Sequence, residues 1–433
     1  MLWLYRLLFL PALLVMAPRY LLRMRRRGGY AEKFGERFGA HGSLPAKRPG
    51  VRRVWVQAVS VGEVLAIAPL LESLMREGGV ELYLTTTTST GYRVALDRYA
   101  HLAVGIGYFP IDWWWFSARA WRHVAPDLAV LTEGERWPEH IHQAARRGVP
   151  VIGINARMSD RTFRRLQRFG FARRAVFGGI TRLLASSAQD ERRLRELGVP
   201  AERVTNTGNL KLDVRIARLT EEERARLRRE LGLGEGLILL GSSTWPGEET
   251  GLLEIWAELR KNNVACALLL VPRHAERRPE IERLVRAAGA TYHLRSRGAA
   301  SGVVEVAVGD TTGELRKLTQ LADLVFIGKS LPPNEGGQTP VEAAALGRPI
   351  LFGPAMSNFR TIARELVEGG GAVQVADEYA LAAEVKALLA DAARREKMAA
   401  AAAEWQRANA GAVERTLAVL REELGKRQGG ERP

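Results

Sequence analysis

The stretch 59-VSVGEVLAIAPLLESLM-75 sets one carboxylate, Glu63, behind a Val-Ser-Val-Gly turn and at the mouth of an apolar helix. Glycine at position 62 lets the backbone come close to a ligand, and Ser60 adds a hydroxyl. A glutamate in a first helical turn also favours the positive end of the helix dipole by up to about 1 kcal/mol. Glu63 therefore reads either as a helix-start residue or as the group that does the chemistry. The same dipole is expected to hold it ionised at neutral pH, which suits a general base more than a general acid.

Other polar clusters fall at the ends of apolar runs. The run 85-TTTTSTG-91 offers hydroxyls and backbone amides to an anion or a sugar, or simply caps a helix. In 133-EGERWP-138, Glu133 and Glu135 leave a strand together with Trp137 beside them, a combination suited to sugar hydroxyls and apolar sugar faces. Either glutamate also serves as an ion-pair partner for the many arginines. Further on, Arg273 in 272-PRHAER-277 can bind a phosphate, and the amides of Thr312 to Glu314 in 310-DTTGELRK-317 can cap it. Glu342, expected in the second turn of a helix opened by 336-GGQTPVEAAALG-347, can take ribose hydroxyls. Together these groups can hold a nucleotide without a metal.

Several chemistries are excluded by what is missing. There is no HExxH, no Cys/His cluster and no GxxxxGK[ST], which argues against a zinc hydrolase or a P-loop NTPase. His140 and His142 flank one residue near a helix start and read as surface residues rather than a metal pair. Neither 104-VGIGYF-109 nor 237-LILLGSSTWPG-247 has the three-glycine spacing of a dinucleotide site, so a dehydrogenase is not expected. The single cysteine, Cys266, lies in the apolar run 264-VACALLLV-271, which excludes a disulfide framework and points to a reducing compartment.

The elements that must position these residues alternate in type. Apolar strand-like runs at 53–59, 80–86, 104–109, 127–133, 149–155 and 183–187 are separated by helical patterns. After the connector 208-GNLKLDVRIARLT-220 the alternation restarts with runs at 237–244, 264–272, 303–310, 323–328 and 349–354. This is an α/β chain of two doubly wound, Rossmann-like units with ligands in the cleft between them. The expected domains are residues 49–215 and 216–425, preceded by a membrane-associated helix and basic connector at 1–48 and followed by a tail at 426–433. The Ala-rich stretch 380–405 reads as a plain, mostly solvent-facing helix.

A formal charge of +16, spread through Arg-rich helices, calls for anionic partners. No zinc-finger spacing or RNA-binding signature accompanies it, so nucleic acid is not expected and an anionic membrane surface is. Residues 2-LWLYRLLFLPALLVMAPRYLL-22, followed by 23-RMRRR-27, can span a membrane only if Arg6 and Arg19 snorkel, and Pro11 and Pro18 weaken a straight helix. Spanning and lying in the interface both leave the body on the cytoplasmic side.

The ordered set SVGE, EGERWP, 155-NARMSDR-161, 208-GNLKLD-213, 242-SSTWPGEE-249, 271-VPRHAER-277, 309-GDTTGEL-315, 323-DLVFIGKSL-331, GGQTPVEAA and 352-FGPAMSNF-359 resembles the 3-deoxy-D-manno-octulosonic acid (Kdo) transferases. The resemblance implies a GT-B architecture with an N-terminal membrane-anchor helix. It implies inverting, metal-independent transfer of Kdo from CMP-Kdo to the lipid A precursor, lipid IVA, in lipopolysaccharide core biosynthesis. The location implied is the cytoplasmic face of the inner membrane of Gram-negative bacteria. No cofactor is implied. Glu63 would be the base, with Ser60, Gly62, Glu133, Glu135, Arg157, Lys211 and Ser243 on the substrates. Pro272, Arg273, Thr312, Gly313, Glu314, Thr339, Pro340, Val341 and Glu342 would contact CMP. Arg164, Arg165, Arg168, Arg173 and Arg174, with Lys33 and Arg37, would meet acceptor phosphates and the membrane. The chain departs from the family where Gln338, Thr339 and Val341 replace the His, Asn and Leu of GGHNPLE, where Trp245 stands in place of a His, and where Gln57 and Ala58 precede VSVGE without the usual His. The alternatives are a GT-B transferase or epimerase using a UDP-sugar, and a non-catalytic membrane-tethered nucleotide or lipid binder.

Overall fold

The computed structural model of the protein describes residues 2–28 and 32–426. Two compact units divide it: Met1–Asp213 with Gly411–Pro433, and Val214–Ala410. In the first unit, β1 (Arg52–Gln57), β2 (Val80–Thr86), β3 (Ala103–Tyr108), β4 (Leu128–Thr132), β5 (Val151–Ala156), β6 (Arg182–Ala185) and β7 (Val204–Asn206) form one sheet in the order β3-β2-β1-β4-β5-β6-β7. All of its pairings are parallel. Helices cover both faces, so the strands are apolar on both sides and β2 is buried at every position. Because successive side chains alternate, Val54 and Val56 pack with Leu70, Leu71 and Leu74 on one face, and Trp55 packs with Phe109 and Trp121 on the other.

The second unit repeats the plan with β8 (Leu237–Thr244), β9 (Cys266–Pro272), β10 (Tyr292–Leu294), β11 (Val306–Val308), β12 (Leu324–Ile327), β13 (Ile350–Phe352) and β14 (Ala372–Gln374), in the order β10-β11-β9-β8-β12-β13-β14. Again every pairing is parallel. Leu239 serves one core while Ile238 and Leu240 serve the other.

The expected boundary at 425 is corrected by the last helix, Ala412–Gly425, which returns to the first unit. Ala412, Val413, Leu417 and Leu420 join the core that holds Leu70 and Leu71. The Asp213 carboxylate accepts the N–H groups of Gly411 (3.2 Å) and Val413 (2.7 Å), fixing this return where the chain first left the unit. The Ala-rich stretch before it forms two helices, Glu378–Ala390 and Ala392–Asn409, with Leu381, Val385, Leu388 and Met398 buried.

The N-terminal helix, Leu2–Arg27, contains both prolines. Among the described residues no single helix is long and apolar enough to cross a membrane; Leu2–Phe9 and Pro11–Leu22 pass that test together but meet at a 44° bend. Arg6 does not snorkel. Its guanidinium makes two bonds, of 2.8 and 2.9 Å, to the fully buried carboxylate of Glu139. Next to it, the Tyr5 hydroxyl donates to Asp112 (2.5 Å), which also accepts the His140 and Glu139 N–H groups at the start of helix Pro138–Arg146. Arg6→Ala is expected to lower stability by about 3 to 5 kcal/mol, because it strands a buried carboxylate. Thermal melting checks this; an unchanged melt would mean that the pair contributes nothing.

His140 is likewise not at the surface. Its Nδ1 accepts from Trp121 Nε1 (3.1 Å) and its Nε2 donates to the Pro110 carbonyl (3.2 Å), and burial pushes its pKa down to about 3. A satisfied core histidine has replaced the expected exposed one.

Candidate active site

The order of the first sheet reverses between β1 and β4, and in doubly wound sheets ligands bind at the carboxyl ends of the strands beside such a reversal. Glu63 stands there. One carboxylate oxygen accepts from the Val59 N–H (2.9 Å) and from the Thr132 hydroxyl at the end of β4; the other accepts from the Ser60 hydroxyl (3.3 Å). The helix it occupies is only Val61–Ala66. Burial pushes its pKa up, opposed in part by the bonds from Thr132 and Val59 and helped by the charge of Glu133. Desolvation outweighs the expected pull of the dipole, since a short helix supplies little field, so the carboxyl lies above the ordinary glutamate range rather than below it. A carboxylate made more basic in this way is a better proton acceptor. Gly62 lies inside the helix with open space around its Cβ direction, so the expected glycine turn is absent and nothing in the backbone requires glycine there.

Glu133 and Glu135 follow β4. Glu133 takes a left-handed φ of 50° while its N–H bonds the Ile154 carbonyl (2.9 Å), and its carboxylate is paired with Lys211. Lys211 is brought in because Asn155, itself at φ 49°, accepts the Leu210 N–H at 3.1 Å. Glu135 accepts the Trp137 indole N–H (2.5 Å), and burial together with the nearby Glu63 charge raises its pKa to about 7. Glu63, Ser60, Glu133, Glu135 and Lys211 thus form one cluster. Arg157 is exposed just beyond β5, and its carbonyl meets Arg136 at 3.4 Å.

The threonine run resolves to its structural reading. Thr85 and Thr86 are fully buried, Thr85 bonds Trp55 and Gln57, and Thr88 caps helix Ser89–Tyr99 through the Gly91 N–H. Arg37 is also internal: its guanidinium lies 4.1 Å from the Tyr108 ring centroid and donates to the Thr87 carbonyl at 2.7 Å. Lys33 donates to the Ile106 carbonyl (2.8 Å), and Arg173 to the Leu166 and Gln167 carbonyls. These three serve the fold, whereas Arg164, Arg165, Arg168 and Arg174 face solvent.

In the second unit the reversal lies between β8 and β12. Glu248, 2% exposed, organises the loops there. Its carboxylate accepts four backbone N–H groups: Trp245 (2.9 Å), Lys329 (2.8 Å), Ser330 (2.9 Å) and Leu331 (3.2 Å). The Gly336–Gly337 turn, with φ of 104° and 70°, joins the same group, since Gly337 and Gln338 donate to the Lys329 and Gly328 carbonyls at 3.0 Å. Gly328 must be glycine, because a Cβ there would sit 2.4 Å from the Ser243 carbonyl oxygen. The Arg273 N–H bonds the Thr244 carbonyl (3.1 Å), Pro272 pairs in register with Thr244, and Ser243 takes a φ of 54°. Ser243, Pro272, Arg273 and Thr339 are therefore gathered around one strand-end cluster. The Arg273 side chain is exposed.

Pro340 is the N-cap of helix Val341–Ala345, and the Thr339 hydroxyl accepts the Val341 N–H at 3.3 Å. This places Glu342 in the first turn rather than the expected second, where Arg316 donates to it at 2.7 Å. The segment after Gly313 (φ 88°) forms a single α-helical turn, Leu315–Leu318, then a 3-10 turn, Thr319–Leu321. Burial acts against the Glu314 charge, yet bonds from Arg295 and Thr311 hold its carboxyl below the usual range. Thr312 lies beside these groups. Both glutamates assigned to the nucleotide are thus held by arginine, Glu342 by Arg316 and Glu314 by Arg295. Among the described residues no group of three His, Cys, Asp or Glu could hold a metal ion.

Sequence reasoning missed Glu248 and Lys329. Lys329 has a φ of 59°, which costs a side-chain-bearing residue about 1 kcal/mol or more, and its ammonium lies 4.4 Å from the Trp245 ring centroid. The available signal was the pair Glu248–Glu249 behind the Pro-Gly of 242-SSTWPGEE-249, where an acidic helix start follows a strand directly.

Residues 32–214 match the family model described as 3-deoxy-D-manno-octulosonic-acid transferase (kdotransferase). The 3-deoxy-D-manno-octulosonic acid transferase of Bordetella pertussis is 35% identical over 415 residues, covering 93% of this chain and 95% of that one. The enzyme of the same name from Haemophilus influenzae is 31% identical over 419 residues, covering 95% and 94%. In shape, UDP-GlcNAc 2-epimerase from Neisseria meningitidis, bound to UDP-GlcNAc, matches with a TM-score of 0.55 over 86% of this chain and 100% of that one. At 14% identity that likeness is one of fold alone. With two parallel seven-stranded sheets and relatives of this identity over nearly its whole length, the chain belongs to the 3-deoxy-D-manno-octulosonic acid (Kdo) transferases, glycosyltransferases of the GT-B type.

Proposed function

We propose that this transferase moves Kdo from CMP-Kdo to the lipid A precursor lipid IVA in lipopolysaccharide biosynthesis, inverting the anomeric centre, with Glu63 as general base. The observation that carries this reading is the half-buried Glu63 carboxylate, held at the end of β1 by Thr132, Val59 and Ser60 and made more basic by burial. An acceptor hydroxyl attacks the anomeric carbon as its proton passes to Glu63, and the bond from that carbon to the phosphate oxygen breaks to release CMP. Developing positive charge on the sugar and negative charge on the departing phosphate need opposite handling. The first unit supplies the base, with Glu133, Glu135 and Lys211 around the acceptor. The second unit binds the nucleotide, with the exposed Arg273 on the phosphate. Glu135, with a pKa of about 7, exists in both protonation states near neutrality and can donate or accept a hydrogen bond to a sugar hydroxyl.

The same reading places the enzyme at the cytoplasmic face of the inner membrane, its N-terminal helix lying in the interface rather than crossing. Tyr5 and Arg6 tie the first turns to the body, while Trp3, Leu7, Leu8, Leu14 and Val15 are exposed. Apolar side chains on one helix, with exposed arginines such as Arg19 and Arg25 beyond, suit anionic headgroups. Donor choice is tested by nucleotide competition. CMP is expected to protect against modification and inhibit turnover, and UDP is not; the reverse pattern would assign the chain a UDP-sugar.

A further inference from the structure

Two donors at the strand-end cluster of the second unit have no acceptor. The Trp245 indole N–H is buried without a hydrogen-bond partner among the described residues. The Lys329 ammonium, 4.4 Å from the centre of that indole ring, has no carboxylate within ion-pairing distance among them. Of the other cations near the site, Arg295 is matched with Glu230 and Glu314, Arg316 with Glu342, and Arg277 with Glu249 and Glu280, while the exposed Arg273 has no carboxylate within ion-pairing distance among the described residues.

Lys329 also sits in a backbone conformation that favours glycine, with φ 59°. Its N–H and that of Trp245 bond the same buried oxygen of Glu248, at 2.8 and 2.9 Å, so the two side chains leave one fixed point. Trp245 is wedged further by His274, whose ring meets it edge to face at 5.3 Å. A strained lysine aimed over an aromatic face, beside an orphaned indole N–H and at the carboxyl ends of β8 and β12, is built to meet an anion. The π face holds the ammonium without neutralising it.

We propose that Lys329 and Trp245 form a binding site for an anionic group of the sugar-nucleotide donor, its phosphate or the carboxylate of its sugar. Lys329 supplies the charge, and Trp245 positions the ammonium while donating its indole N–H. This rests on the reading of the donor as CMP-Kdo only in naming which anions are present. Both candidate groups carry oxygens that accept charge-assisted bonds.

The test replaces Lys329 with glycine, which removes the cation and relieves the left-handed backbone. Titration calorimetry with CMP and with cytidine is combined with steady-state kinetics in CMP-Kdo and with thermal melting, on wild type, Lys329→Gly and Lys329→Arg. If the anion is the phosphate, Lys329→Gly weakens CMP binding roughly 10- to 100-fold, the range for one charged hydrogen bond, and leaves cytidine binding unchanged. If it is the sugar carboxylate, CMP binding stays and the KM for CMP-Kdo rises by a similar factor. In both cases the melting temperature does not fall, and Lys329→Arg recovers most of the loss. CMP affinity and KM both within twofold of wild type, or a loss that tracks a lowered melting temperature, would overturn the proposal. If wild type instead prefers a uridine nucleotide, the Kdo-donor reading fails, and the same comparison made with UMP and uridine still judges the anion site.

Discussion

Glu63→Gln is expected to cost transfer roughly 100- to 10,000-fold in kcat, the usual contribution of a positioned general base. Binding of CMP-Kdo and the melting temperature should stay close to wild type. The hydrogen-bond pattern makes glutamine a fair test. One oxygen of Glu63 takes both the Val59 N–H and the Thr132 hydroxyl, and an amide oxygen can keep both. The other faces the Ser60 hydroxyl, which can accept from an amide N–H as readily as it donates to a carboxylate. Burial raises the folded-state pKa of Glu63 above its unfolded value, so above that pKa ionisation costs the folded state, and a neutral amide does not add to that cost. Wild-type activity should fall as pH drops through a pKa above the ordinary glutamate range, since the base must be ionised to act. The variant's residual rate should lack that limb. A Glu63→Gln enzyme with wild-type turnover would reduce Glu63 to a residue that caps its helix.

The second large effect falls on stability, at Glu248. Each of its oxygens serves two backbone N–H groups: Trp245 and Lys329 on one, Ser330 and Leu331 on the other. Alanine would strand four donors in a buried site. At about 1 to 3 kcal/mol for an unsatisfied buried group, with water recovering part, a net loss of about 3 to 5 kcal/mol is expected. Glutamine is not conservative here. Its NH2 would confront two N–H donors, so Glu248→Gln should lose most of the same stability and loosen the loops that carry Ser243 and Lys329, weakening CMP binding in parallel. Chemical denaturation of both variants, read beside CMP titration, checks this. A Glu248→Gln protein as stable as wild type would show that the carboxylate does not hold the loops.

The contrast between these two glutamates says what a sequence of this kind discloses. Each lies early in a helix behind a strand, and each is legible as an acidic helix start. What separates the proposed base from the buried anchor is the set of partners: hydroxyls and one amide for Glu63, four amides for Glu248. Backbone amides carry no letter in the sequence. The same holds for Lys329, whose meaning comes from the sign of φ, and for Arg6, whose partner Glu139 is distant in the chain and which otherwise reads as a charge awkwardly placed in an apolar run.

The sheets were readable where strands were long and buried on both sides. The three strands not anticipated, Val204–Asn206, Tyr292–Leu294 and Ala372–Gln374, are three residues each and all lie at sheet edges, where so short a segment shows no period. The return of Ala412–Gly425 to the first unit was hidden for another reason. An amphipathic helix displays an apolar face without naming the surface that will cover it. The ordered motifs at strand ends, by contrast, located most of the candidate site, because a doubly wound sheet gathers its strand ends whatever the loops between them do.

The most direct measurement is the mass of the lipid product after incubation of the purified enzyme with CMP-Kdo and a tetraacylated disaccharide bisphosphate, run beside Glu63→Gln. The wild type is expected to yield a lipid heavier by Kdo, with CMP released in step, and Glu63→Gln unchanged lipid although it still binds CMP-Kdo. Equal product from both proteins, or CMP released with no gain in lipid mass, would contradict it.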